Sequence, residues 1–517
     1  MMFWVYKVSL RFLSWSYWFT HFLGSFLGFV KYYLCPQDWK KIVRNLKLVR
    51  RGKISSIKAF LIGGKVIANF MHYWLDVLYF GAIADREKLF SSIEVRGKEN
   101  LDRAFSSGLP VIISTAHFGN WEVEGFWLGE KGYQIYAVAF PHKDKEVDEF
   151  FNMVRNRHNI RVIPTGRSTR IIGVLKRRQI LAILGDWDFS GGKSLVEVEF
   201  FSKRLLFPAG LGRFAERFQA VVIPTFCRRI GLGRYRIDIF EPMETKGVSG
   251  ADIVQYYVKT LEKVIERDPF QWLMFGPIRY AKETISNSEL CIIIPAYNEE
   301  RHLGELLARL EGRGVNVIVV DDGSVDRTSE IASRFKFVMV HRLSCNEGKG
   351  VAIKEGLGLA KALGYKWAVL MDADGQHLPE ELGRFLSAAR TNVGMVCGNR
   401  LSDPKGMPLV RRFTNWIMSL IISAYVFQWI PDTQCGYRLI RLEAVDPEDL
   451  SGDRYEIETD LILRVKEKGW NVISVPVSSV YHDTAISYIN PVRDTIRFIW
   501  FMLQDGIKKI RRRVKRK

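Results

Sequence analysis

The sequence predicts a two-domain α/β chain, and three observations carry that prediction. Short apolar, β-branched runs alternate with segments of helical periodicity through both halves. A polar stretch without periodicity, AKETISNSE at 281–289, separates the halves. The length, 517 residues, exceeds what one ordinary core encloses. With 47% hydrophobic and 13% aromatic residues the chain can fill substantial cores, which excludes wholesale disorder. The expected organisation is an N-terminal segment 1–35, an α/β domain 36–284, a second α/β domain 285–500 and a basic tail 501–517.

The N-terminal segment contains Phe12–Val30 (FLSWSYWFTHFLGSFLGFV), 19 residues free of Lys, Arg, Asp and Glu. A helix of that length approaches bilayer thickness, while its tryptophans, serines and His21 equally suit an interfacial helix. No small-residue cleavage pattern follows, so the segment is expected to stay attached as a membrane anchor. The basic flank Lys40–Lys53 would hold the remaining mass on the cytoplasmic face of the cell inner membrane.

A net charge of +20 suits either nucleic acid or an anionic membrane. Position favours the membrane: the tail Lys508–Lys517 (KKIRRRVKRK) follows an aromatic-rich segment, as in a basic amphipathic helix. The aromatics are not interleaved with Arg and Lys as base stacking requires, so no nucleic-acid partner is expected. The six cysteines show no CxxC pair, which argues against a disulfide framework or zinc ribbon and fits a reducing compartment.

In the first half, LPVIIST, YQIYAVAF, QILAILGD and AVVIPTF read as strands, and DEFFNMVRNRH and STRIIGVLKRR as helices. The strand VIIST should end near Ala116 and a helix should begin at Trp121. His117 then lies on the connecting turn and Glu122 in the first helical turn. A carboxylate so placed can hold an imidazole that removes a proton from a hydroxyl attacking an acyl carbonyl. A satisfied structural histidine is the plainer alternative. HFGNWE, the arginines of MVRNRHNIRVI, LGDWDFSGG, VEFFSKRLLFPAG and DPFQWLMF occur in an order that resembles the lipid A late-acyltransferase family of the lysophospholipid-acyltransferase superfamily, over roughly 1–280. The resemblance implies His117 as base with Glu122 as its partner. It implies an acyl or acceptor site at Asn120, Arg155, Arg157 and Asp186, with surface ion pairing the alternative for the last three. Trp187 stands where that family has a glutamine. The implied donor is an acyl thioester, on acyl carrier protein or as acyl-CoA.

In the second half, CIIIPAY, VNVIVVDD, KFVMVHRL, WAVLMDAD and VGMVCGNR read as strands alternating with helices such as HLGELLARLEG. Asp372 and Asp374, two apart at a strand end, point toward the edge where open α/β sheets place ligands. The ordered blocks CIIIPAYNEE, VIVVDDGSVDRT, GKGVAIKEG, MDADGQH and DTQCGYRLI resemble a family 2 glycosyltransferase of GT-A (Rossmann-like) fold, near the polyprenyl-phosphate, dolichol-phosphate mannose synthase-like branch. The resemblance implies nucleotide-sugar contacts at Pro295, Tyr297, Glu299, Asp321, Asp322, Lys349 and Asp372, and Mg2+ or Mn2+ at Asp372 and Asp374. It also implies acceptor or phosphate contacts at Asp432, Gln434, Arg438 and Glu458. Asp460 is the expected base for a hydroxyl acceptor; a lipid phosphate would need none. Acids aiding a helix N-terminus are the alternative for Glu458 and Asp460. By the same resemblance Phe413–Ile430 should form an interface helix pair beside the acceptor.

Taken together, the two halves predict a bifunctional membrane-associated transferase of glycolipid biosynthesis. One half would move a sugar from a nucleotide-sugar to a lipid acceptor, and the other would acylate a lipid or sugar hydroxyl. The alternative is a polyprenyl-phosphate glycosyltransferase fused to an acyltransferase with an unrelated acceptor.

Overall fold

The computed structural model describes residues 16–478 except 35, 143, 189–191, 193, 277, 405 and 453–455, together with 501, 502, 504 and 505. The tail Lys508–Lys517 lies outside the described residues. The chain divides into two compact units, Met1–Ala281 and Lys282–Lys517, against an expected boundary at residue 284.

Among the described residues unit 1 begins with the helices α1 (Tyr17–Leu34), α2 (Pro36–Val49) and α3 (Ser56–Leu78). Its strands are β1 (Ile93–Arg96), β2 (Val111–Thr115), β3 (Ile135–Ala139), β4 (Ile160–Pro164), β5 (Ile180–Leu184), β6 (Leu195–Phe200), β7 (Lys203–Pro208), β8 (Val221–Gly231), β9 (Arg234–Ile239) and β10 (Arg279–Tyr280). A seven-stranded sheet runs β1-β9-β8-β2-β5-β3-β4, and β10-β7-β6 form a smaller one. Apart from β8 and β9 the strands of the large sheet pair in parallel, with helices α4 (Trp121–Glu130) and α5 (Lys145–Arg157) among the connections and α6 (Gly250–Arg267) following β9. Every residue of β2 is buried, which explains why VIIST reads as an unbroken apolar run rather than an alternation.

Helix α1 is amphipathic in an inverted sense. Its small and polar residues Thr20, His21, Gly24 and Gly28 are buried, and a Cβ on Gly28 would stand 2.9 Å from Met71 and 3.1 Å from Ile67 of α3. Its bulky residues Trp18, Phe22 and Phe26 face outward, 58–75% exposed. Of the two forms expected for the N-terminal anchor, the spanning one is not found: among the described residues, which leave out 12–15, no helix is long and apolar enough to cross a membrane. Thr20, His21, Ser25 and Lys31 dilute the apolar run, and His21 is committed inward to Asp76 of α3 (2.9 Å).

Unit 2 carries β11 (Leu290–Ala296), β12 (Asn316–Asp321), β13 (Val338–Arg342), β14 (Trp367–Leu370), β15 (Val393–Asn399), β16 (Arg438–Arg441) and β17 (Asn471–Pro476), ordered β13-β12-β11-β14-β16-β15-β17. Strands β13 to β14 are parallel, and β16 is antiparallel to both its neighbours. The chain builds outward from β11 to β13 and then returns to the other side of β11 with β14. That reversal creates a crevice at the carboxyl ends of β11 and β14. Helices α7 (Lys349–Ala362), α8 (Leu409–Val426) and α9 (Ile457–Glu467) flank the sheet. The expected helix pair over Phe413–Ile430 is the one helix α8, stopped by the left-handed Phe427 (φ 54°). Like α1, α8 buries polar residues (Asn415, Ser419, Ser423) and exposes Leu409, Val410, Phe413 and Trp416.

Candidate active sites

In unit 1, β2 and β5 are parallel neighbours with Thr115 opposite Leu184. Each strand delivers a polar residue two positions beyond that pair, His117 from one and Asp186 from the other. The His117 Nδ1 lies 2.8 Å from Asp186 Oδ1, and the His117 backbone N–H donates to the same carboxylate (3.1 Å). The Trp272 indole N–H donates to Asp186 Oδ2 (3.1 Å). Asp186 is buried, and the imidazole keeps 16% of its side-chain surface exposed. This is a histidine oriented through Nδ1 by an aspartate, with Nε2 left to meet a substrate.

The turn after His117 depends on glycine. Gly119 has φ 57°, and a Cβ there would stand 1.9 Å from the Cys227 carbonyl oxygen. Asn120 then caps α4, its Oδ1 accepting from the Val123 N–H (3.2 Å). The Asn120 amide donates to the Tyr235 hydroxyl (3.3 Å), and Tyr235 donates to the fully buried Asp76. Arg229 pairs with the same carboxylate at 2.8 Å, and Tyr17 and His21 of α1 also bond to it. Burial pushes the Asp76 carboxyl upward, but Arg229 and His21 override it and hold the group well below the usual carboxylate range. Glu124, one helical turn from the cap, is buried against Thr225 and Thr115, and burial pushes its carboxyl up to about 7.

In unit 2, Asp372 follows β14 and sits against Gly436, where a Cβ would stand 2.5 Å from Asp372 Oδ2. Lys349, the first residue of α7, bridges two acids: its Nζ lies 2.8 Å from Asp372 Oδ1 and 3.0 Å from Glu458 Oε1. Glu458 Oε2 is buried with no hydrogen-bond partner. His377 accepts the Asp372 backbone N–H at Nδ1 (3.1 Å). Asp374 accepts from the Gln376 N–H (3.0 Å). Glu299 beyond β11 has its carboxyl pushed up by burial and by the charges of Asp374 and Asp372, so the three acids share one field.

Among the described residues no group of three or more His, Cys, Asp or Glu is arranged to hold an ion. Asp372 and Asp374 still present hard carboxylate oxygens at the crevice. They fit a cation such as Mg2+, which takes one or two carboxylates and completes its shell with water and substrate phosphates.

Residues 2–278 match the family model for bacterial lipid A biosynthesis acyltransferases, more than half of the 517 residues. The chain belongs to that family. Residues 291–447 match the model for glycosyl transferase family 2. An uncharacterized protein of Methanocaldococcus jannaschii is 36% identical over 212 residues, 39% of this chain and 86% of its own length. The polyprenol monophosphomannose synthase of Mycolicibacterium smegmatis is 31% identical over 38% of this chain and 79% of its own. The phosphatidylinositol mannoside acyltransferase of Mycobacterium tuberculosis is 24% identical over 41% of this chain and 68% of its own. The chain is thus a bifunctional transferase, lipid A acyltransferase-like in its first half and glycosyltransferase family 2 in its second.

Several residues expected from the sequence serve the framework of this acyltransferase fold rather than a site. Glu122 does not hold His117; it receives a two-point ion pair from Arg155, both buried, while Asp186 takes the expected role. The HxxxxE spacing points the Glu122 carboxylate off the turn and toward α5. Asn120 is fully buried as a cap, and Arg157 reaches the Gly81 carbonyl (3.5 Å).

In the glycosyltransferase half the expected base Asp460 is fully buried, bound by the Ser451 and Gly452 N–H groups and by Arg464 (2.9 Å). Arg438 is not a phosphate contact: it is fully buried and donates to the carbonyls of Cys435, Thr433 and Glu458. Asp432 pairs with Arg400 at two points (2.9 and 3.1 Å), and Gln434 donates to the Thr433 hydroxyl. Asp321 accepts from the Ser324 N–H and Ser329, and Asp322 from the Glu347 and Gly348 N–H groups (both 2.8 Å), so both pin the loops around the crevice. Pro295 is the penultimate residue of β11, and just beyond the strand Tyr297 is exposed at the same edge. Missed at the sequence level were Trp272 and His377; each lies inside a quoted block, but no spacing rule marks it.

Proposed function

We propose that the chain is a membrane-associated enzyme of glycolipid biosynthesis. Its second half passes a sugar from a nucleotide-sugar to a lipid acceptor, and its first half passes an acyl group from an acyl thioester, on acyl carrier protein or coenzyme A, to a lipid or sugar hydroxyl. The observation that carries this reading is a proton acceptor or carboxylate pair at the carboxyl edge of each sheet, His117 held by Asp186 in one and Asp372 with Asp374 in the other.

His117 Nε2 takes the acceptor proton and returns it to the leaving thiolate, while Asp186 stabilises the imidazolium. In the second half Asp372 and Asp374 would hold Mg2+ or Mn2+, which when bound neutralises the diphosphate as the nucleotide leaves. The Lys349 ammonium turns to the diphosphate and releases Glu458, whose unpartnered oxygen accepts the proton of a hydroxyl acceptor. The outward aromatic faces of α1 and α8 rest on the cytoplasmic face of the inner membrane, assisted by the basic run Lys40–Lys53.

The intact chain, given labelled nucleotide-sugar, acyl thioester and extracted lipids, should make an acylated glycolipid. His117→Ala should stop acylation and spare sugar transfer, and Asp374→Ala should do the reverse. Equal loss of both activities in either variant would defeat the assignment. The mannosyltransferase relatives favour a second reading, in which the sugar acceptor is a polyprenyl phosphate and the acyl acceptor is unrelated. A lipid-linked sugar released by mild acid would establish that reading.

A further inference from the structure

Two indoles lie beside the His117 imidazole. Trp121 lies 4.9 Å away, centroid to centroid, at 70°, and Trp187 5.3 Å away at 54°. Each is backed by the fold. Trp121 stacks on Tyr73 (4.2 Å, 25°), and the Trp187 ring carbons come within 3.1 and 3.2 Å of where a Cβ on Gly276 would stand, so glycine there lets the ring settle. With Nδ1 committed to Asp186, Nε2 is the nitrogen left for an acceptor hydroxyl, and both indoles lie within 5.3 Å of that imidazole. The face of an aromatic ring is electron-rich and attracts the polarised C–H bonds of a flat, oxygen-substituted ring. A pyranose presents a patch of such C–H bonds on one face, and a glycerol backbone does not.

We propose that Trp187, beside the same imidazole as Trp121, is a specificity-determining residue that stacks on a pyranose and so selects a sugar hydroxyl of a glycolipid over a glycerol hydroxyl as acyl acceptor. The proposal rests on the reading of His117 as base. The sugar O–H gives its proton to His117 Nε2 as its oxygen bonds to the thioester carbonyl carbon. The C–S bond then breaks, and the thiolate leaves with the proton from the imidazolium.

The test uses the full-length protein on phosphatidylglycerol vesicles with palmitoyl thioesters of coenzyme A and of acyl carrier protein. Dodecyl glucoside and dodecyl mannoside compete there against 1-monolauroylglycerol. The wild type should favour a glycoside in kcat/KM by roughly tenfold or more, Trp187→Leu should erase most of that preference, and Trp187→Phe should keep most of it. Because the readout is a ratio within one enzyme preparation, partial misfolding cancels. A wild-type preference for monolauroylglycerol, or a ratio unchanged in Trp187→Leu, overturns the proposal. If Trp187→Leu acylates neither acceptor, the wild-type preference and the Phe ratio decide. Undiminished transfer by His117→Ala strikes instead at the base assignment beneath it.

Discussion

The two sites solve the same problem, placing charged groups at the open edge of a sheet, from opposite distances along the chain. In the glycosyltransferase half MDADGQH brings Asp372, Asp374 and His377 within six residues of one another, and the local block is already the centre of the site. In the acyltransferase half the local block HFGNWE supplies the histidine but not its partner: Glu122 is bound by Arg155, and Asp186 arrives from the neighbouring strand. The comparison teaches that adjacency in sequence identifies a site, while pairing in the sheet decides which acid meets which base.

The sharpest way to break this comparison is to exchange the two acids' fates. Asp186→Asn should lower acyl-transfer kcat about 10^3-fold with thioester KM little changed, because the imidazole loses its orienting charge. Glu122→Gln should leave kcat of the folded fraction within severalfold but reduce stability by about 3 kcal/mol in urea titrations, since it strands a buried guanidinium. The reverse pattern would restore Glu122 as the partner of His117.

The corresponding contrast in the second half is Glu458 against Asp460. Glu458→Gln should cut sugar transfer to a hydroxyl acceptor roughly 10^2-fold. Asp460→Asn should act mainly on melting temperature, because that carboxylate is fully occupied by Ser451, Gly452 and Arg464. Rates that stay level in Glu458→Gln point to a phosphate acceptor.

The smallest expected effect concerns Glu124, whose raised carboxyl makes the folded state bind a proton that the unfolded chain has released. Stability contributed by this group is therefore present below about pH 4.5 and lost as pH climbs to about 7. Glu124→Gln should stabilise unit 1 by at least about 2 kcal/mol at pH 8 and by almost nothing at pH 4, read from denaturant midpoints at the two values.

Strand runs such as VIIST and WAVLM were legible because burial on both faces leaves a direct mark on residue choice, and the turn carrying His117 followed from where one such run ends and the helix begins. Arg438 and Asp460 were misjudged because a charge serving buried carbonyls or amides is spelled like one serving a ligand. For the N-terminal anchor, composition registers that α1 is apolar, but not that its polar stripe is the buried side and its tryptophan and phenylalanines the exposed one.

By itself the sequence determined two α/β halves, the crevice-edge positions of His117, Asp372 and Asp374, and the class of chemistry each half performs, because strand runs and turn residues are local constraints. Tertiary structure alone decided that Asp186 orients His117, that Lys349 ties Asp372 to Glu458, and that Arg438 and Asp460 are framework. The physical reason is that a buried charge is settled by whichever opposite charge or dipole the fold brings within about 3 Å, and strand order sets that distance rather than spacing along the chain.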